Sequence, residues 1–234
     1  MKIPAKIIIL AAALFLNACA PALPALPPND IVMRSGQAML QVPSMHFKVE
    51  ISGAPVVINQ ATLTSLRSVE GDFARPDRMG VHLKVIVAVA AAEMDMIALG
   101  NDQFITNVFT QKWEVLPPQF GFNPAIMFDP KDGLEQTLKS GLDNAQLIGV
   151  DTIDGAAAYH VKGSLDGSRV QVMSGGLLGR GQIDVELWAD GTTFQTLKAI
   201  LTDRDSDPKD PSVWTLTFGS FGKPVNITAP TLGQ

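Results

Sequence analysis

The sequence predicts a mainly β protein of the α+β class, in which about ten antiparallel strands are joined mainly as a meander and interrupted by a few short helices. Apolar and polar residues alternate with a period of two along most of the chain, first over residues 45–51. This alternation is typical of antiparallel strands with one buried face. Turn pairs such as Asp166-Gly167 and Asp190-Gly191 separate the runs, as hairpins need positive backbone angles.

The elements follow in chain order from the same two signals. A helix is predicted at 31–40, capped by Asp30, and two more at 123–128 and 129–141, which each begin with a capping residue followed by a proline. A further short helix is predicted at 168–173. The remaining strand candidates share the period of two, and they lie at residues 69–74, 81–89, 94–98 after a bend at 90–93, 102–110, 145–151, 157–165, 183–188, 193–202, 213–220 and 224–228.

The N-terminus has the pattern of a lipoprotein signal peptide over residues 1–18. Lys2 and Lys6 form a basic start, and the apolar run at 7–16 is far shorter than the roughly 20 residues of a membrane span. Cys19, the only cysteine, follows a Leu-Asn-Ala tripeptide that resembles a bacterial lipobox. An ordinary secretory signal would explain residues 1–18 equally well, but not the position of Cys19. We therefore predict cleavage before Cys19 and lipidation of its thiol, which anchors the protein to a membrane.

A proline-rich tether is predicted at 19–29 and one folded domain at 30–234. With Cys19 lipidated, no cysteine remains for a disulfide bond. The net charge of −5 disfavours a nucleic-acid-binding surface, which is normally basic. Only 18% of residues are charged and 46% are hydrophobic, a bias expected of a protein that lines an internal apolar chamber.

Enzymatic chemistry finds little support in the sequence. His46, His82 and His160 all fall on the polar phase of predicted strands and lack metal-ligand spacing, so we expect exposed imidazoles. No Gly-x-Ser-x-Gly motif occurs. Residues 203–208 imitate the start of a calcium loop, but Pro208 and Trp214 occupy the positions that need glycine and glutamate. We predict a solvated hairpin tip there, no metal site, no cofactor and no enzymatic activity.

Several segments together resemble one known family. Residues 44–53, 71–77, 128–134, 187–190 and 225–230 are similar, in the same order, to segments of the LppX/LprA/LprF/LprG (LppX_LprAFG) lipoproteins. The resemblance implies a LolA/LolB-like fold, a strongly curved antiparallel half-barrel with short helices covering the concave face. It also implies an apolar pocket for acyl chains of envelope lipids or glycolipids, in a carrier rather than an enzyme. The alanine-rich stretch 87–92 and the glycine-rich segment 174–181 depart from the family pattern, and we interpret 174–181 as a flexible connection near a pocket mouth.

A lipid carrier needs a dry wall, because each methylene exposed to water costs about 0.8 kcal/mol. The apolar phase of the strands can supply this wall, with a covering helix closing it. Ordinary core packing is the alternative role for each residue, since alternation identifies a shared face but not an empty space beside it. The candidate lipid-cavity residues are Phe47, Val49, Leu83, Val85, Val87, Met94, Met96, Phe104, Leu134, Leu138, Leu197, Leu201, Leu216 and Phe218.

These features predict an exported, monomeric lipoprotein, anchored through Cys19 to the outer face of the cell membrane. Its predicted partners are an acylated lipid or glycolipid, the membrane and a lipid transporter, and it would carry the lipid between membrane, transporter or envelope acceptor. Two alternatives stay open. The same domain could serve as a protein-binding scaffold without lipid cargo, or it could be a hydrolase.

Overall fold

A computed structural model describes residues 23–117, 121–129, 133–179 and 181–233, without the side chains of residues 135, 136 and 138. The predicted signal peptide and Cys19 therefore lie outside the described residues. Over the described part the chain forms one curved, unclosed antiparallel sheet, which confirms the predicted half-barrel. Its strands are β1 (Ser44–Ser52), β2 (Val56–Asn59), β3 (Thr64–Ala74), β4 (Arg78–Val87), β5 (Ala90–Leu99), β6 (Asp102–Thr106), β7 (Trp113–Val115), β8 (Asp143–Ile153), β9 (Ala156–Asp166), β10 (Gln182–Asp190), β11 (Thr196–Asp203) and β12 (Ser212–Gly219).

Two meanders meet at the centre of the sheet. The spatial order is β7-β6-β5-β4-β3-β1-β12-β11-β10-β9-β8, and β2 pairs with the start of β3. The first and last strands of the chain, β1 and β12, are direct neighbours, with Phe47 opposite Phe218. The register places the β4–β5 turn at one end of the strands and the β10–β11 turn at the other.

The predicted strand at 224–228 is wrong. The segment lies outside the sheet and crosses the convex face, where Ile227 packs over Gly80 and accepts a hydrogen bond from Arg78 through its carbonyl. The apolar alternation of this segment thus reflects packing onto a finished sheet rather than membership of it.

In the described ranges, four short helices or helical turns accompany the sheet: α1 (Pro28–Gln41), a 3-10 helix (Pro124–Phe128), α2 (Leu134–Lys139) and α3 (Ser168–Gln171). Helix α1 buries Ile31 and Val32 against β8 to β11, in a cluster that includes Tyr159, Val161 and Ile183. Helix α2 packs against α1 and the 3-10 helix. None of the helices in the described ranges is both long and apolar enough for a transmembrane segment.

The predicted tether is not free over its described part. Leu23 and Leu26 pack against the α1 cluster, and the Tyr159 hydroxyl donates a 2.9 Å hydrogen bond to the Pro24 carbonyl. A methyl group of Leu23 lies where a side chain on Gly191 would stand. Two leucines between prolines explain the difference, because they bury apolar surface that a solvated linker would leave exposed.

Candidate functional site

The strand register brings apolar side chains into rows across the concave face. Partners that are directly opposite in an antiparallel pair share a face, so each row can be read from strand to strand. The two central rows are Phe218–Phe47 and Leu216–Val49–Val69–Leu83–Met94.

These central side chains are only half-buried, although they lie on the helix-covered face. Leu197 and Leu201 of β11 are also half-buried on this face. In the register, Leu201 lies opposite Trp214, and the buried Ala199 lies opposite Leu216. We call this surface the apolar strip; it crosses six neighbouring strands and comprises Phe47, Val49, Val69, Leu83, Met94, Leu197, Leu201, Leu216 and Phe218. At about 4.8 Å per strand, it runs about 24 Å across the sheet.

A fully buried cluster limits the strip on the side of the β4–β5 turn. Its members are Ile51, Val56, Leu66, Val85, Leu178 and Trp214, and we call it the Trp214 cluster. Along β1, buried Ile51 directly follows half-buried Val49 on the same face. Leu178 and the neighbouring Val170 come from outside the sheet and cover this end.

Two further clusters cover the opposite side of the strip. Val42, Met45 and Phe73 are buried together where α1 ends, with Phe128 of the 3-10 helix packed against them. Arg75 holds this region by donating from Nε to the Val42 carbonyl at 2.8 Å. The Arg75 guanidinium carbon lies 3.7 Å from the centre of the Phe128 ring. Burial lowers the pKa of Arg75.

The second of these covers lies over β4 and β5. It buries Val81, Met96 and Ala98 beneath Leu116 and Phe122. The covers therefore surround the apolar strip without burying it completely. A half-buried apolar surface between buried clusters offers a ligand apolar contact that the protein itself does not complete.

The structure distributes the predicted cavity residues among several positions. Eight of them belong to the apolar strip, whereas Val85 and Met96 are buried beneath the covers and Val87 lies half-buried at the end of β4. Leu134 is half-buried on α2 and belongs to none of the apolar clusters found in the described chain. The Leu138 side chain lies outside the described part. A lipid contact at any of these residues stays a prediction.

The structure corrects the placement of Phe104 in the cavity wall, because Phe104 does not share the face of the strip. It pairs with Ile97 and Val115, while the adjacent Ile105 pairs with Met96 on the concave face. Phe104 and Ile105 are both apolar, so the alternation alone left the phase of β6 undetermined. The register shows that Ile105 points the way that Phe104 was predicted to point.

Val69 and Trp214 are among the residues of the concave face that the sequence prediction missed. Val69 lies in the strip, and Trp214 gives its name to the neighbouring buried cluster. Both could have been found, because Val69 alternates with Phe73 across Gly71, and Trp214 alternates with Leu216.

The glycine-rich segment at 174–181, predicted to be a flexible connection, is held against the sheet over its described residues. Leu178 is buried, and the Gly179 amide donates a 2.8 Å hydrogen bond to the Asp203 carboxylate. A Cβ at Gly179 would lie 2.7 Å from the same carboxylate, so a side chain at this position would displace the carboxylate. Asp203 also accepts the Asp205 amide. This carboxylate, the first of the calcium-like sequence, therefore caps backbone amides.

Two histidines of the convex face lie beside carboxylates of the neighbouring strand. His46 Nδ1 is 2.9 Å from Asp72, and His82 Nδ1 is 2.8 Å from Asp95. Both imidazoles are partly exposed, in line with the prediction. No group of three or more His, Cys, Asp or Glu side chains within the described ranges is arranged to hold a metal ion.

His160 is a second correction, because it is buried rather than exposed. Its ring stacks on Trp188 with centroids 4.1 Å apart and bonds Glu186 at 2.9 Å and Asp151 at 3.1 Å. The alternation identified the convex face correctly, but that face is locally covered by these large and charged neighbours.

The convex face also carries an open polar depression of about 530 Å³ over β8 to β11. Its charges are already paired, since Arg204 bonds Asp184 at 2.5 Å and Lys162 bonds Glu186 at 3.0 Å. The strip on the concave face is the stronger candidate site, because its apolar side chains lack a complete protein cover.

Comparisons with known proteins agree with this architecture. A sequence profile of the LppX_LprAFG lipoproteins matches residues 27–227. The structure is similar to LprF from Mycobacterium bovis, with a TM-score of 0.67 and 19% identity over 89% of this chain and 99% of that chain. LppX from Mycobacterium tuberculosis gives a TM-score of 0.62 and 17% identity over 86% and 97% of the two chains.

A LolA superfamily protein from Nitrosomonas europaea aligns with 86% of this chain and 96% of its own, at 13% identity; its TM-score of 0.28 is too low to support an argument. A comparison with curated proteins finds no matching sequence. The profile match confirms the resemblance predicted from the sequence, and the two mycobacterial structures show that the fold is shared.

Proposed function

Because the chain belongs to the LppX_LprAFG lipoprotein family, we propose that it binds the acyl chains of a lipid or glycolipid against its apolar strip. It carries this cargo between the membrane, a transporter or another acceptor of the cell envelope. The proposed action is burial of an apolar ligand, without bond making. Lipidation of Cys19 and placement on the outer face of the cell membrane belong to the same proposal.

The single observation that carries the proposal is the incomplete burial of the strip. Phe47 and Val49 are half-buried, although Met45 and Ile51 before and after them on the same face of β1 are buried. Exposing a lipid chain to water costs about 0.8 kcal/mol of free energy per methylene. A chain lying along the strip would recover this free energy and complete the burial of the side chains beneath it.

The test is native mass spectrometry of the full chain purified from bacterial membranes. We expect a copurifying acyl lipid in stoichiometric amount. After delipidation, the protein should take up an acyl lipid again from vesicles that contain phosphatidylglycerol. A protein that is always empty and takes up no acyl lipid would contradict the proposal and favour the scaffold alternative.

A soluble Cys19→Ser form separates binding from anchoring. We expect it to take up lipid as the parent does, because Cys19 precedes the first residue of the described domain. Its delivery of lipid to acceptor vesicles should be slower when the donor is the membrane that holds the parent. Loss of uptake in the soluble form would mean that the strip alone does not bind the cargo.

A further inference from the structure

A tryptophan at the edge of the apolar strip has an unused hydrogen-bond donor. Trp214 is 7% exposed, and its buried indole Nε1 has no hydrogen-bond partner among the residues that the structure describes. Buried polar groups in folded proteins are almost always paired, so each exception needs an explanation. The indole N–H can only donate, so its missing partner must be an acceptor.

Trp214 lies in a hydrophobic cluster of the described chain. It packs with Ile51, Leu66, Val85 and Leu178, which are all aliphatic. Trp188 shows the contrasting case on the convex face, where the indole donates a 2.7 Å hydrogen bond to Asp151. The chain therefore pairs one buried indole through a carboxylate and leaves the other unpaired beside the strip.

Trp214 lies next to the strip on which the acyl chain of a lipid would bind. Leu216, two residues further along β12, lies on the same face and belongs to the strip. Trp214 shares its buried cluster with Leu178, which comes from the glycine-rich segment rather than from the sheet. A ligand that displaces this leucine would bring its polar linkage to the indole while its hydrocarbon stays on the strip.

We propose that Trp214 selects esterified acyl lipids by donating its indole N–H to the ester carbonyl oxygen of the bound lipid. The inference rests on the proposed function and specifies its ligand class. An ether-linked lipid has the same hydrocarbon but no carbonyl at this position, so it leaves the donor unpaired. Trp214 thus acts as a specificity-determining residue rather than as a further part of the apolar wall.

The experiment compares two lipids of equal chain length, diacyl and dialkyl phosphatidylglycerol, in binding titrations with the delipidated full chain. We expect the parent protein to bind the ester lipid about tenfold more tightly than the ether lipid. Trp214→Phe keeps an aromatic ring but removes the donor, so its preference should fall to about one. Trp188→Phe removes an indole donor on the convex face, and it should keep the parent's preference.

A second measurement does not depend on any substitution. The infrared band of a 13C-labelled ester carbonyl should shift to lower frequency on binding to the parent protein, and this shift should be absent in Trp214→Phe. Equal affinity for the two lipids, or an unshifted band in the parent, would overturn the role of Trp214. Failure to bind either lipid would instead overturn the proposed function.

Discussion

Replacing Leu83 by tryptophan tests whether the space over the apolar strip is open. Leu83 is half-buried at the centre of the strip, between Val69 and Met94. An indole at this position extends into the space that a lipid chain would occupy. We expect lipid uptake to fall while the domain stays folded.

The size of the effect follows from the hydrocarbon that the ring displaces. If the indole excludes about four methylenes, at about 0.8 kcal/mol each, binding weakens by about 3 kcal/mol. Since about 1.4 kcal/mol corresponds to a factor of ten, Kd should rise roughly 200-fold. The free energy of unfolding should change by about 1 kcal/mol or less, because the ring enters unfilled space.

Two variants of the same strand provide the controls. Lys84→Trp places the ring on the convex face, where Lys84 is exposed, and should leave uptake unchanged. Val85→Trp forces the ring into a site where the native side chain is 1% exposed. Overpacking there should cost about 1–3 kcal/mol or more of stability.

The assay combines displacement of a fluorescent fatty acid with urea denaturation of the delipidated protein. Unchanged uptake in Leu83→Trp would remove this residue from the binding surface. A loss of stability as large as that of Val85→Trp would show that the space over Leu83 is already filled, and the reasoning from half-burial would then fail.

Three further predictions concern single contacts. Tyr159→Phe removes the hydrogen bond to the Pro24 carbonyl. Denaturation should show that the free energy of unfolding falls by about 1 kcal/mol, and limited proteolysis should show faster cleavage before α1. Arg75→Ala removes charged donors from the carbonyls at the end of α1 and should lower the free energy of unfolding by about 2 kcal/mol, read by the same denaturation. Hydrogen bonds from the Ser168 side chain and amide lower the pKa of Asp166. The stability that these bonds contribute is therefore present above the pKa of an unfolded aspartate and is lost as the pH falls through the lower folded pKa. Ser168→Ala should raise the pKa of Asp166 in an NMR titration, and an unchanged pKa would contradict the assignment.

The alternation of apolar and polar residues predicts most of the sheet, because each strand buries one face against the helices and covering segments. The turn between β4 and β5 was placed too late, at residues 90–93. It is formed at Ala88, which has a φ of 55°, and at Val89, which is 95% exposed. Neither residue is a usual turn former. The Ala88 amide donates to the Leu63 carbonyl, so a contact between two loops fixes a turn that the local sequence does not specify.

The depth of each candidate residue was beyond the reach of the pattern. Leu83 and Val85 have the same character and share a face, yet one is half-buried and the other is buried. Val85 is a buried member of the cluster that contains Leu178, which is distant in sequence, whereas Leu83 packs against that cluster and stays partly exposed. Periodicity defines the face of a strand, whereas long-range packing decides which part of that face is available to a ligand.

Because residues 23–27 pack against the domain, they limit how far the domain can lie from the membrane. From Cys19 to Leu23 an extended chain spans at most about 14 Å. A membrane that held an acylated Cys19 would therefore keep the β10–β11 turn, against which Leu23 packs, close to its surface. The β4–β5 turn is at the other end of the strands, about 30 Å away along the strand direction for a strand of this length. The sheet itself would then span the distance between the membrane and an acceptor at the β4–β5 end. Inserting residues into the segment 20–22 should increase this distance.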